Sequence, residues 1–184
     1  HGDHPAVALA PSSVQEIFTE TVRAFNLSER LRTPVSLLTD EIIGHMREKI
    51  TIPEEGELEI WDRPRPEVPP EDYRPYDTSK GIIPPMADFG MGYRWHVTGL
   101  NHDQTGFPTN KPELVQPEEE RLLAKITSNL SFIEKYEDVR REGARVGMIS
   151  YGSSARSCKS ALSEALSEGI PVDFLRPVSY THLT

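Results

Sequence analysis

Two histidines, His96 and His102, stand six residues apart, with Asp103 beside the second. Imidazoles next to a carboxylate can move a proton near neutral pH, so His96 and His102 are candidates for an acid/base pair at a site edge. On spacing alone the ordinary reading is favoured, a strand histidine and a loop histidine with local hydrogen bonds. The spacing matches no standard zinc pattern, and the single cysteine, Cys158, adds no partner ligand. Gly152-Ser153-Ser154 lies between an apolar run and a helical repeat, where backbone N–H groups and a helix dipole can hold an anion. Neither GxGxxG nor GxxxxGK[ST] accompanies it, so a tight turn with Ser153 or Ser154 as N-cap is the expectation. Glu41 and His45 share a helix face, which reads as a capped helix start with a solvated pair. Cys158 reads as a small buried core residue, and the charged run 134–145 as a solvated helix end. Taken from the residues alone, none of these groups names a reaction.

The elements that must position them fall into two related runs. Val146, Met148, Ile149 and Tyr151 form a short apolar stretch expected to be a buried parallel strand. Ala155, Cys158, Ala161, Leu162, Ala165 and Leu166 follow at helical spacing, Gly169 stops the helix, and Val172, Phe174 and Leu175 begin another strand. Earlier in the chain, Ala6–Ala10 reads as a strand. Ser13 and Glu16 have capping-box spacing, and Val14, Ile17, Phe18, Thr21, Val22 and Phe25 mark an amphipathic helix running to Arg32. Val35, Leu37 and Leu38 then predict a second strand, and Thr39 or Asp40 can cap a helix from about Glu41 to Lys49. Strand–helix–strand runs of this kind predict an α/β fold with parallel pairing.

Between the runs the composition changes. Eight of the sixteen prolines lie from Pro53 to Pro85, mixed with Glu, Asp and Arg. Proline neither continues a helix nor donates to a ladder, so residues 51–90 predict an extended arm. Trp61, Tyr73 and Tyr76 should dock it on a surface. Gly90–Leu100 reads as a strand or extended turn, and Asn101–Thr109 as a polar loop. Pro117 opens what the spacing of Leu122, Leu123, Ile126, Leu130, Ile133 and Tyr136 predicts as the longest helix, ending near Gly143.

The 184 residues carry a formal charge of -9, which argues against a nucleic-acid backbone or an anionic membrane surface as partner. No apolar run approaches the length of a membrane span, and the expected compartment is the cytoplasm. One cysteine excludes an internal disulfide or a Cys-based iron–sulfur site within these residues.

Three stretches resemble one family: LAPSSVQEIFTETVRAFNLSERLRTPVSLLTDEIIGHMRE (residues 9–48), HVTGLNHDQTGFPT (96–109) and MISYGSSARSCKSALSEALSEGIPVDFLRP (148–177). Together they are similar to the alpha subunit of 2-oxoacid:ferredoxin oxidoreductases, in the 2-oxoglutarate synthase branch. The resemblance implies a partial thiamin-diphosphate-binding fold, followed by the start of a transketolase C-terminal-like parallel α/β domain. Residues 1–50 would be the C-terminal part of the pyrimidine domain, 51–115 the arm and linker, and 116–184 the long helix and the start of the second domain. The family performs coenzyme-A-dependent oxidative decarboxylation of a 2-oxoacid, passing electrons to ferredoxin, with thiamin diphosphate carrying the chemistry. The alternatives are the same chemistry on pyruvate or a branched-chain 2-oxoacid, or a non-catalytic α/β interaction module.

The family's substrate and aminopyrimidine-activating residues fall upstream of His1 in its pattern. Thiamin diphosphate with Mg, and the iron–sulfur cluster, are expected to be held mainly by the thiamin-binding beta subunit or elsewhere in the complex, with none bound by this chain alone. His96 and His102 stand in the family-like motif, as candidates for a site edge or subunit contact. The start His1-Gly2-Asp3-His4-Pro5, without Met, suggests a fragment, and Val178–Thr184 suggests a truncated frame or foreign tail.

Overall fold

The computed structural model describes residues 5–181. Two three-stranded sheets organise them. In the first, β1 (Val7–Leu9) is central, parallel to β2 (Val35–Leu37) on one side and antiparallel to β6 (Ser179–Tyr180) on the other. In the second, β5 (Asp173–Pro177) is central, parallel to β4 (Gly147–Ile149) and antiparallel to β3 (Tyr136–Val139). Both parallel pairs expected from the sequence are present, each extended by an antiparallel strand, and the class is mixed α/β.

Helix α1 (Val14–Leu31) crosses from β1 to β2. Its start is fixed by Ser13, whose Oγ accepts from the Glu16 N–H at 3.1 Å. The reciprocal half of the capping box is missing, because the Glu16 carboxylate instead takes the Ser12 N–H at 2.8 Å. Leu27 and Leu31 face β1, and Ile126 and Ile133 close the same core. Fully burying each such aliphatic side chain is worth roughly 1.5–3 kcal/mol. Phe25, expected on the inner face, is 68% exposed, because Ala24, Leu27 and Leu31 define the packed stripe.

Helix α2 spans only Glu41–His45. Of the two candidate caps, Asp40 and not Thr39 takes the position, but Met46 turns to extended backbone, so the predicted run to Lys49 ends early. From there to Lys111 the chain forms turns and irregular segments, with one isolated bridge between His102 and Pro108. The strand option for Gly90–Leu100 is therefore not taken. The arm follows α1 from end to end. Thr51 pairs with Gln15, its N–H donating to Oε1 at 2.7 Å. Asn26 clamps Glu59 O and Trp61 N–H at 2.7 and 2.9 Å. Arg63 pairs with Glu29, and Arg32 donates to Pro75 O and Pro84 O. The predicted anchors all dock. Trp61 lies under the Arg30 guanidinium (4.4 Å) and meets Phe132 edge-on. The Tyr73 hydroxyl donates to Pro85 O, and Tyr76 stacks on His102.

The predicted long helix is two helices and a strand. Helix α3 (Pro112–Thr127) starts at Pro112, which fills its first position, and contains Pro117. Helix α4 (Leu130–Ile133) is a single turn, and β3 follows. Leu130, Ile133 and Tyr136 keep helical spacing, but pairing of Tyr136–Val139 with β5 wins over that local pattern. The run 134–145 is thus strand and turn rather than a helix end.

Strand β4 is not buried: Val146 is 64%, Ile149 73% and Tyr151 58% exposed, as befits an edge strand. On α5 (Ser154–Ser167), Ala155 is the only buried side chain, so Cys158 is half-buried rather than a core residue. Neither serine caps α5 through its side chain. Ser153 holds the cap position without a side-chain bond, and Ser154 Oγ donates back to Tyr151 O at 2.7 Å. The residues His1–His4 and 182–184, on which the readings of the chain ends partly rest, lie outside those described; Val178 is buried and Ser179–Tyr180 form β6.

Candidate functional site

The C-terminal end of α1, the middle of α3, the arm and the loop after it enclose a cavity of about 430 Å³. Arg32 ends α1 in the left-handed conformation (φ 47°), and this turn exposes its carbonyl to Lys125 of α3, whose Nζ donates at 3.0 Å. The Lys125 ammonium sits at the negative end of the α1 dipole, where a cation is favoured. Lys125 is only 5% exposed, and burial, reinforced by Arg121 and Arg32, lowers its pKa to about 8. Burial likewise lowers the Arg32 guanidinium. Arg121, also on α3, is held by Glu118 one turn away, and Arg63 by Glu29.

The loop brings His102 to the same wall. It is 8% exposed, its ring stacked on Tyr76 at 4.7 Å and its Nε2 2.8 Å from Thr98 Oγ1. The Tyr76 ring also meets the Arg32 guanidinium at 5.1 Å. Burial, then the nearby His96, lowers the His102 pKa from 6.5, so its neutral form is favoured. His96 is exposed. Its ring lies 6.3 Å from that of His102 and 5.5 Å from Phe107, in edge contacts without a hydrogen bond between the imidazoles. Asp103 does not serve either histidine. Its Oδ1 accepts from Thr105 N–H and Oγ1 at 2.8 and 2.6 Å, fixing the turn in which Gly106 (φ +95°) passes against Pro75. The geometry therefore brings His96 and His102 together in space, with His102 on the cavity wall.

The Gly152-Ser153 turn is filled from within the chain. Asp40 Oδ2 accepts the Ser153 N–H at 2.7 Å while Oδ1 accepts from Ile43 N–H at 3.0 Å. The backbone donors predicted for an anion thus meet a carboxylate of the chain itself. Glu41 and His45 are both exposed, as a solvated pair should be.

Sequence reasoning missed Arg32, Arg121 and Lys125. Lys125 carried a usable signal, since it stands inside the apolar stripe of Leu122 and Ile126. Arg32 carried none, its role arising from the arm that folds back on it. Among the described residues no three His, Cys, Asp or Glu side chains converge to hold a metal ion, and no helix is long and apolar enough to cross a membrane.

Comparison with known proteins gives a consistent set of matches. Residues 2–121 match the family described as pyruvate flavodoxin/ferredoxin oxidoreductase, thiamine diphosphate-binding. The 2-oxoglutarate synthase subunit KorA of Methanothermobacter thermautotrophicus is 44% identical over 96% of the chain and 46% of the relative. Its counterpart in Methanocaldococcus jannaschii is 40% identical over 97% of the chain and 48% of the relative. The chain thus spans about half the length of these curated relatives. Among solved structures, it resembles the 2-oxoglutarate:ferredoxin oxidoreductase from Magnetococcus marinus with 2-oxoglutarate, coenzyme A and succinyl-CoA bound. The TM-score is 0.81 at 28% identity, covering 97% of this chain and 31% of that one.

Proposed function

The chain belongs to the pyruvate flavodoxin/ferredoxin oxidoreductase, thiamine diphosphate-binding family, and from that membership we propose that it works as part of the alpha subunit of a 2-oxoglutarate:ferredoxin oxidoreductase. The enzyme would decarboxylate 2-oxoglutarate oxidatively with coenzyme A and pass the electrons to ferredoxin. The observation that carries this reading is identity of 44% with a 2-oxoglutarate synthase subunit across 96% of the chain. The arm adds support: a free-standing interaction module would offer it to a partner, whereas here it is docked along α1.

Thiamin diphosphate supplies the ylid chemistry of such enzymes. The described residues do not fit it as a complete site. They bring together no carboxylate group for the magnesium of a diphosphate, and the Gly152 turn already holds Asp40. No step is therefore assigned to these residues. Their role is to form one wall of the cofactor cleft and the contact with a thiamin-binding beta subunit. Residues 1–50 and 116–184 would belong to the pyrimidine and transketolase C-terminal-like parts, with 51–115 linking them. His96 and His102 would lie at the edge of the cleft or at that subunit contact.

The test is co-expression from the native locus with the neighbouring gene that encodes a thiamin-binding subunit. Coenzyme-A-dependent reduction of a low-potential dye is then assayed with 2-oxoglutarate, pyruvate and a branched-chain 2-oxoacid in parallel. Reduction with 2-oxoglutarate is expected. Reduction with another acid alone would change the substrate, and no reduction with any acid would overturn the reading.

A further inference from the structure

We propose that the cavity between α1, α3 and the arm is a binding site for a small organic carboxylate, held between Arg32 and Lys125. Arg32, Arg63, Arg121 and Lys125 line the cavity against two carboxylates, Glu29 and Glu118. Those two are already committed, Glu29 to Arg63 through both its oxygens and Glu118 to Arg121 through both of its own. Among the described residues, Arg32 and Lys125 are left facing a shared space without a carboxylate paired to either, Glu118 acting on them only at longer range, in a chain whose formal charge is -9.

Both cations are anchored but not used up. Among the described residues, the Arg32 hydrogen bonds leave from Nη1 alone, to Pro75 O and Pro84 O. Its Nε and Nη2 edge, the fork that matches a carboxylate, remains for a ligand. Lys125 Nζ has three protons and donates one, to Arg32 O. A cation 95% withdrawn from water without a carboxylate is costly, and a bound anion would remove that cost. Burial, with Arg121 and Arg32 beside it, outweighs the pull of Glu118 and lowers the Lys125 pKa.

The rest of the wall selects the class of anion. Ile83, Val97 and Leu122 add apolar side chains to the lining of the same cavity. A carboxylate on a short carbon chain satisfies both kinds of lining. Inorganic phosphate would satisfy only the charges. His102 and Thr98, whose Nε2 and Oγ1 lie 2.8 Å apart, contribute polar atoms to the same lining.

The experiment titrates butyrate and inorganic phosphate separately into the purified full chain, each against chloride at equal ionic strength. Backbone amide shifts of α1 and α3 and the thermal midpoint are followed. Butyrate should move both saturably. Lys125→Arg should retain the response, and Lys125→Met should weaken it at least tenfold. Lys125→Met should also raise or leave unchanged the midpoint of the ligand-free chain, which a lysine serving only to cap α1 would not allow. No saturable response to butyrate, a response to phosphate alone, or an undiminished response in Lys125→Met would each overturn the proposal. If Lys125→Met does not fold, Arg32→Gln is titrated in its place, with the same loss expected.

Discussion

Arg176 of β5 reaches Glu16 of α1 across 160 residues of sequence, its Nη1 and Nη2 lying 2.9 and 2.8 Å from the two carboxylate oxygens. Arg176 is 2% exposed, and it also holds Glu137 of β3 at 3.0 Å and Ser12 at 2.9 Å. One guanidinium thereby ties the second sheet to the start of the helix that covers the first. Removing one partner of such a buried pair costs about 3–5 kcal/mol, because the other charge is stranded. Arg176→Met should lower stability by an amount of that order, and Glu16→Gln by less, because Arg176 keeps Glu137. The double variant should lose less than the sum, measured by urea unfolding as a cycle.

The same pair sets a dependence on acid. Burial alone would raise the Glu16 pKa, but Arg176 and the Ser12 donors overcome it and hold the carboxyl at about 2, against 4.5 for an ordinary glutamate. The folded value is depressed, so the stabilisation is complete above pH 4.5 and is lost as pH falls from there toward 2. Because Glu16 is only half-buried, solvent screening reduces the size of this stabilisation to about 1–2 kcal/mol. Unfolding curves taken across that window should steepen in the wild type and flatten in Glu16→Gln. An equal pH slope in the two would show that Glu16 carries no such linkage.

The parallel pair of the first sheet was readable because its signals are local, whereas its third strand, β6, lies in the stretch read as a foreign tail. β1 is an unbroken buried run, and Ser13 with Glu16 marks the start of α1. The end of α3 was not readable, since the residues up to Tyr136 continue a helical repeat until long-range pairing with β5 overrides it. Arg176 and Lys125 lie between these cases. Each is a charge in an inward register, Arg176 on the same face as the buried Val172, Phe174 and Val178, and Lys125 beside Ile126. The anomaly is visible in the sequence. What each charge meets depends on segments far away in the chain.

Docking of the arm can be tested at Trp61. Its ring carries the Arg30 guanidinium at 4.4 Å and an edge contact with Phe132 at 6.0 Å, and its indole N–H donates to Glu59 at 2.6 Å. Contacts of these kinds together are worth about 1–3 kcal/mol. Trp61→Ala should free the arm, so limited proteolysis within residues 51–90 should accelerate several-fold while α1 stays protected. Unchanged cleavage would mean that the polar tethers at Gln15 and Asn26 suffice.

His102 should titrate abnormally. Burial and the neighbouring His96 push its pKa below 6.5, so its neutral form supports the fold above that value and the support is lost as pH falls through the lower folded value. Imidazole resonances followed by NMR should give His102 a midpoint under 6.5. Replacing the ring with His102→Phe keeps an aromatic face for Tyr76, so it should cost less stability than His102→Ala. A midpoint at or above 6.5 would contradict the burial.

Gly152 and Asp40 form a coupled pair joining the two sheets. Gly152 has φ +59°, and a Cβ there would lie 3.0 Å from Asp40 Oδ2. The carboxylate has little freedom to retreat, because it holds Ser153 N–H at 2.7 Å and caps α2 through Ile43 N–H. Gly152→Ala therefore meets two penalties. The left-handed backbone costs about 1–2 kcal/mol, and displacing Asp40 adds the loss of a charge-assisted bond. Asp40→Ala should remove the second penalty and leave the first. Gly152→Ala should accordingly cost less in the Asp40→Ala background than in the wild type, by denaturant unfolding of all four proteins. An equal cost in both backgrounds would assign the whole effect to the backbone and would leave Asp40 as a cap for α2 alone.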